Sequence, residues 1–244
     1  MKVQPMRSLV CFLCTILMLL SAPFAFAFCF VPQPRLTCAE YFASRLVVEA
    51  TLVQTKIISD KGDPLGIEAH VYTLAVNKVM RGKAMGRIQV YDGNDSGRAT
   101  FNWTRGKKYL LFLSYVPSEN SWALDSCGNS GPLDTANAAL SEIEAVNASH
   151  DGGVIYGVVS QQALSAPIPG VHVEVKGENG EYVATTDEKG EFQMKVPAGR
   201  YTASASQNGI SFSKADISYE DPGNIQIEPG GCAQVQFAQV EGSQ

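Results

Sequence analysis

Apolar and polar positions alternate through most of the chain after its first 30 residues. From Arg45 to Thr55 the order Leu-Val-Val-Glu-Ala-Thr-Leu-Val predicts a strand, and Asp60-Lys61-Gly62-Asp63-Pro64-Leu65-Gly66 ends it in a loop of turn formers. Further strands are predicted at 67–79, 87–91, 109–116 and 121–124. After Cys127 the period changes: Ala136, Leu140 and Ile143 form an i, i+4, i+7 stripe, with Asp134 placed to cap a helix. A mostly β unit closing on one helix is expected over 28–149.

From Gly152 onward no helical stripe is found. Short runs at 154–159, 171–176, 182–186, 192–196 and 201–205 are separated by turn clusters such as Asp187-Glu188-Lys189-Gly190. That spacing predicts an all-β sandwich over 150–244. Val171, Val173 and Val175 alternate with His172, Glu174 and Lys176, so one face is buried and the other wet. Phe192 and Tyr201 are expected inside, and Gly190 suits a hairpin position with positive φ. The polar stretch 147–153 is the expected linker.

The start of the chain breaks this pattern. Residues 1–27 carry Lys2 and Arg7, a run from Leu9 to Leu20 broken only by Thr15, and the small-residue end Ala25-Phe26-Ala27. These are the parts of a secretory signal peptide cleaved after Ala27. The run is short for a membrane span, which takes about 20 apolar residues, although a signal anchor is the alternative reading. Phe28 before Cys29 argues against a lipidated cysteine, which needs a small residue in front of it. No membrane span is expected after cleavage, and the location is extracellular, or periplasmic in a bacterium.

Cleavage sharpens the charge balance. The whole chain is at −5; without the segment 17 basic residues face 24 acidic ones, or −7. An acidic chain without Lys/Arg clusters has no footprint for nucleic acid. Cys29, Cys38, Cys127 and Cys232 remain, and four cysteines in an oxidising compartment read as two disulfides with three possible connectivities. Their wide spacing disfavours structural zinc, and no other metal or cofactor is expected.

Chemistry is sparse. His70, His150 and His172 lie in separate segments, and no His-Glu-x-x-His or Gly-x-Ser-x-Gly motif is present. The oxygen-rich stretch 92–97 lacks the calcium-loop spacing and reads as a tight turn, as do Asp187, Glu188 and Glu191. Asn94, Asn102 and Asn147 head glycosylation sequons. The chain is expected not to be an enzyme.

Cys29-Phe-Val-Pro-Gln-Pro-Arg-Leu-Thr-Cys38 resembles the amino terminus of the netrin-like domain of tissue inhibitors of metalloproteinases. Three later pieces agree in order: Tyr72 to Lys83; the Gly106-Lys-Lys-Tyr-Leu-Leu-Phe112 strand; and Cys127 followed by Pro132-Leu133 and a helix. The resemblance covers about 28–147 and implies an OB-like five-stranded barrel with a C-terminal helix, and a Cys29–Cys127 disulfide. With that pair assigned, Cys232 is the remaining partner for Cys38, a bond that would clamp the two halves; two free thiols are the alternative. From Gly157 through Asn208 the second half resembles carboxypeptidase regulatory-like modules, on Gly157-Val-Val, Pro169-Gly170-Val171, Ala184-Thr-Thr-Asp187 through Phe192, and Val196-Pro-Ala-Gly199-Arg-Tyr201. This implies a prealbumin-like sandwich of the seven-stranded type. The expected fold class is therefore mainly β, a barrel followed by a sandwich.

In the inhibitors an amino-terminal cysteine chelates the protease zinc. The resemblance puts that position one residue before the expected start at Phe28, out of register. Phe28, Cys29, Phe30, Val31 and Pro32 are the candidate partner-binding edge, since aromatics beside a tethered end make a rigid anchor; the alternative is that Phe30 only covers the end of the barrel. Three functions follow as expectations: a secreted binding or matrix protein with a protein partner, an inhibitor of a secreted zinc metalloprotease acting through that edge, or an accessory partner of a secreted hydrolase.

Overall fold

The computed structural model describes residues 35–63, 66–94, 99–148, 151–161, 166–215 and 219–239. A short helix, α1 (Thr37–Ala43), leads into β1 (Leu46–Ser59), β2 (Ile67–Arg81), β3 (Arg87–Gly93), β4 (Lys108–Val116), β5 (Ser121–Leu124) and β6 (Gly131–Pro132). The strands run in the order β1-β2-β3-β5-β4, and β4 pairs back onto β1, so five strands close on themselves while β6 adds to β4. This is the strand order of an OB-like barrel. Leu46, Val48, Ala50 and Leu52 of β1 fill the barrel with Leu74, Val90, Tyr109, Leu111 and Leu113.

The opposite face of β1 and β4 is not wet. Val47, Leu110 and Phe112 point outward and are buried under Tyr41 of α1 and Ala136 and Ile143, beside and within α2 (Asn137–Ala148). Both faces of these strands are therefore apolar, which is why their sequence reads as near-continuous hydrophobic runs. The Ala136-Leu140-Ile143 stripe packs inward as expected, but Asp134 does not cap α2. A 3-10 turn at Leu133–Thr135 comes first, and the Asp134 carboxylate instead pairs with Lys107 at 3.1 Å.

Phe101 and Trp103 cover one side of the barrel core. Trp103 stacks on Tyr72 at 4.4 Å and lies 4.8 Å from Tyr109, and its Nε1–H donates to Asp92 Oδ2 at 3.2 Å. Asp92 Oδ1 accepts the Ala99 N–H at 3.0 Å. The oxygen-rich stretch thus spends its first carboxylate on anchoring this loop; residues 95–98 lie outside the described residues.

The second unit comprises β7 (Gly153–Ser160), β8 (His172–Gly177), β9 (Gly180–Thr185), β10 (Glu191–Val196), β11 (Gly199–Gln207), β12 (Ile210–Lys214), β13 (Ile225–Ile227) and β14 (Gly231–Gln239). These eight strands, where a seven-stranded type is expected, run β10-β7-β14-β12-β11-β8-β9, with β13 on β11. Val171, Val173, Val175, Phe192, Tyr201, Val235 and Phe237 form its core. Gly190 turns with φ +70°, and Asp187 Oδ1 accepts the Lys189 and Glu191 N–H groups.

The last strand is buried on both faces. Ala233, Val235 and Phe237 enter the sandwich, while Cys232, Gln234 and Gln236, all under 7% exposed, occupy the alternate face, where α1 is joined to it through Cys232 and Gln234. Among the described residues no helix is long and apolar enough to cross a membrane.

Candidate functional site

Two places gather the polar side chains that the cores exclude, and they adjoin. The first is the turn 125–130 after β5. Asp125 Oδ1 accepts the Cys127 N–H at 2.9 Å, and Asp125 Oδ2 accepts Arg35 at 2.8 Å. Glu40 of α1 reaches into the same turn, its Oε2 accepting the backbone and side-chain N–H groups of Asn129. A Cβ on Gly128 would fall on Glu40 Oε1, so only glycine lets the carboxyl lie there. Ser130 Oγ accepts the Phe112 N–H and ties the turn to β4. Cys127 is thus fixed from two sides, and it is disulfide-bonded to a partner outside the described residues.

Beside this turn runs an open groove of about 340 Å³, lined by Thr37, Phe101, Asn129, Ser130, Pro132 and Ala139 among others. The candidate edge residues Phe28, Cys29, Phe30, Val31 and Pro32 lie outside the described residues, as does the expected signal segment.

The second place is the junction of the two units. Cys38 and Cys232 form a disulfide with Cα atoms 5.8 Å apart, so of the two readings left open for these thiols the clamp is the one found. Next to it the Leu36 N–H donates to Gln234 Oε1 at 2.9 Å, the Gln234 N–H donates to Glu220 Oε2 at 2.7 Å, and the Arg35 guanidinium sits 4.9 Å from the centre of the Tyr219 ring. On the other side of α1, Arg81 donates to the Phe42 and Ser44 carbonyls and to both oxygens of Glu228. A cation from β2 therefore caps the carboxyl end of α1, which has no basic residue in its own last turn.

Burial shifts several of these groups. It raises the Glu40 carboxyl, against the pull of Arg35 and the Asn129 hydrogen bonds. It lifts Glu220 to about 7, opposed by the Gln234 N–H and Arg35, and lifts Tyr219 to about 12 with help from Asp125. Three carboxyls, Glu40, Asp125 and Glu220, thus act on one guanidinium, that of Arg35. Among the described residues no histidine or thiol nucleophile enters this cluster. His70 is on β2, stacked by Tyr72 at 5.9 Å, His172 is exposed on β8, and His150 is outside the described residues. Among the described residues no group of three metal-ligating side chains comes together. Of the sequon asparagines, Asn102 is exposed, Asn94 donates to the Ile67 carbonyl, and Asn147 accepts the Tyr41 hydroxyl.

The sequence signal for the junction is weak. Glu40 and Glu220 sit in stretches with no motif, Arg81 lies in the Tyr72 to Lys83 piece with nothing there to mark its role, and only the leftover pair of cysteines points to α1 meeting β14.

The family described as carboxypeptidase regulatory-like domain matches residues 154–238, which is the span of the sandwich from β7 to β14. Among solved structures, the chain is similar to the C-terminal fragment of the pilus adhesin SpaC from Lactobacillus rhamnosus GG, at 10% identity over 84% of this chain and 92% of that one, with a TM-score of 0.24. No curated protein matches the chain.

Proposed function

We propose that the protein is a secreted, non-catalytic binding protein in which an OB-like, netrin-like barrel of 28–149 and a carboxypeptidase regulatory-like sandwich of 150–244 act as one rigid body. The Cys38–Cys232 clamp carries this reading. A bond across the two units favours an oxidising compartment, consistent with removal of residues 1–27, and it fixes one module against the other as a surface-presenting scaffold needs. The partner is a protein, and the contact surface is the edge Phe28 to Pro32, tethered by a Cys29–Cys127 bond beside the groove at Asn129 and Pro132. Support for the tether comes from the rigid hold on Cys127 and from its bonded state.

Intact mass without reductant, together with amino-terminal sequencing, tests the architecture: a start at Phe28 with four oxidised cysteines is expected, and retention of 1–27 overturns it. Cross-linking on the native surface with a photoreactive residue in place of Phe30 then tests the edge. Capture at Phe30 and not at the exposed Met85, far along the chain, is the supporting result.

A second reading, inhibition of a secreted zinc metalloprotease through the same edge, is favoured by one observation, the OB strand order that netrin-like inhibitors share. Titration of the mature protein against a panel of zinc endopeptidases separates the two. Absence of inhibition at micromolar concentration removes the second, and leaves partnership with a secreted hydrolase as the alternative to a matrix or surface role.

A further inference from the structure

Cys38 and Cys127 are not bonded to each other, yet their neighbours are. Arg35 pairs with Asp125 at 2.8 Å, Asn129 Nδ2–H donates to the Arg35 carbonyl at 2.9 Å, and the Thr37 hydroxyl donates to Asn129 Oδ1 at 3.3 Å. Glu40 Oε2 accepts both the backbone and the side-chain N–H of Asn129. Residues on both sides of Cys38 thus grip residues on both sides of Cys127. Cys38 nevertheless joins Cys232, and Cys127 joins a partner outside the described residues.

The helix is what turns Cys38 away. Each residue advances about 100° around the axis, so Thr37 and Glu40, three apart, share the side of α1 toward the turn. Cys38 lies about 200° from Glu40, on the side toward β14. Showing Cys38 to Cys127 requires α1 to roll, and the roll breaks the Glu40–Asn129 bonds. Those bonds and a Cys38–Cys127 bridge therefore exclude each other. Proximity does not depend on Glu40, because α1 runs into β1 and Ser130 ties the turn to β4, the strand paired with β1. Orientation does. The Glu40 side chain is 1% exposed and its Oε1 accepts no hydrogen bond, so the carboxyl is seated for the sake of Oε2 alone.

We propose that Glu40 selects the disulfide pairing of this chain: by holding one side of α1 to the Cys127 turn, it directs Cys38 to Cys232 and bars the Cys38–Cys127 bridge. The oxidant is a small disulfide such as oxidised glutathione. The Cys232 thiolate attacks it, one glutathione leaves as a thiolate and takes a proton, and the Cys38 thiolate then attacks the mixed disulfide at Cys232 Sγ and expels the second. Two protein thiols give up two electrons and the glutathione disulfide takes them. The same two steps at Cys127 make the wrong bridge, so the side of α1 on which Cys38 stands decides the product.

The test takes the four-cysteine chain beginning at Phe28, and so rests on the reading proposed above. Reduced, unfolded chain is diluted into glutathione buffer, alkylated with iodoacetamide and mapped by peptide mass for the ratio of Cys38–Cys127 to Cys38–Cys232. Glu40→Ala is expected to raise that ratio about 10-fold, the factor set by losing two hydrogen bonds that only the correct pairing keeps. Gly128→Ala should do the same with every hydrogen-bonding group intact. Its Cβ would overlap all three heavy atoms of the Glu40 carboxyl, while the Gly128 backbone is outside the left-handed region and accepts alanine without strain. Glu40→Gln keeps an oxygen for Asn129 and should pair as the wild type does. Asp92→Ala, which loosens the barrel without touching this network, should too. The ratio is a covalent record, read whether or not a variant completes folding. An unchanged ratio in Glu40→Ala and Gly128→Ala overturns the selector, as does an equal rise in Glu40→Gln or Asp92→Ala. Wild-type Cys127 joined to a residue other than Cys29 overturns the tether proposed above and leaves the Cys38 ratio to judge Glu40.

Discussion

Arg81→Ala removes a side chain that joins the end of β2, the carboxyl end of α1 and, through Glu228, the second sheet. Its guanidinium bonds the Phe42 and Ser44 carbonyls at 3.2 Å, pairs with Glu228, and lies 5.6 Å and 5.0 Å from the centres of the Tyr41 and Phe42 rings. The Glu228 side chain is 44% exposed, so the ion pair should contribute only about 0.5–1 kcal/mol. The two carbonyls are the larger share. They are helix-end acceptors facing the protein, and a charged donor to such a group contributes about 1.5 kcal/mol or more, with cation–π contact adding roughly 0.5–1 kcal/mol. Allowing for overlap and for water reaching the gap, the loss is expected at about 2–4 kcal/mol. Urea unfolding followed by far-ultraviolet circular dichroism measures it. Glu228→Ala should cost under about 1 kcal/mol, and 1 M salt should erase most of the Glu228 effect while leaving most of the Arg81 effect. The reasoning is refuted if Glu228→Ala costs as much as Arg81→Ala, or if salt abolishes both, since the ion pair and not the helix cap would then carry the energy.

Other outcomes are open to direct measurement. Gly82→Ala should destabilise by more than about 2 kcal/mol, seen as a lower urea midpoint, because Gly82 has φ +83° and a Cβ there would collide with the Arg45 carbonyl. Asp92→Ala strips the Trp103 N–H and the Ala99 N–H of their acceptor, and a red-shifted tryptophan emission is expected, with a stability loss of about 1–3 kcal/mol; unchanged emission would count against the anchoring role. Cutting Cys38–Cys232 by a double Ser substitution releases a crosslink spanning 194 residues. Loop entropy puts the loss at about 5 kcal/mol as an upper figure, and a shift in thermal midpoint of less than a few degrees would contradict it.

Period-2 alternation in β8 and β10 and the dense apolar run of β1 were enough to place those strands, because each buries a whole face or both. The same signal misses β12, β13 and β14. β14 reads Gly-Cys-Ala-Gln-Val-Gln-Phe, where glutamines look like a wet face, yet Gln234 and Gln236 are buried, Gln234 taking a hydrogen bond from the Leu36 N–H at the start of α1. Burial of a polar face by a distant element leaves no local trace. α1 itself escapes for a related reason: seven residues are too few to show a stripe, and its stability comes from packing on β14 and from Arg81. Asp134 illustrates the opposite error, a good capping residue placed one 3-10 turn too early. Of the candidate site, the cysteines were legible as types, while the carboxyls around Arg35 were not, since their meaning lies in tertiary proximity alone.

The span of the clamp also sets an order of events during biogenesis. Cys38 leaves the ribosome early and must wait 194 residues for Cys232. At common synthesis rates that is roughly 10–40 s, and Cys127 arrives in the interval. The barrel can close on β1 to β5 in that time, but α1 has no β14 to lie on, and a thiol on a helix without its platform is open to the wrong cysteine. Oxidative folding of this chain should therefore depend on a disulfide isomerase, with Cys38–Cys127 as the misbridged species to look for in cells lacking one.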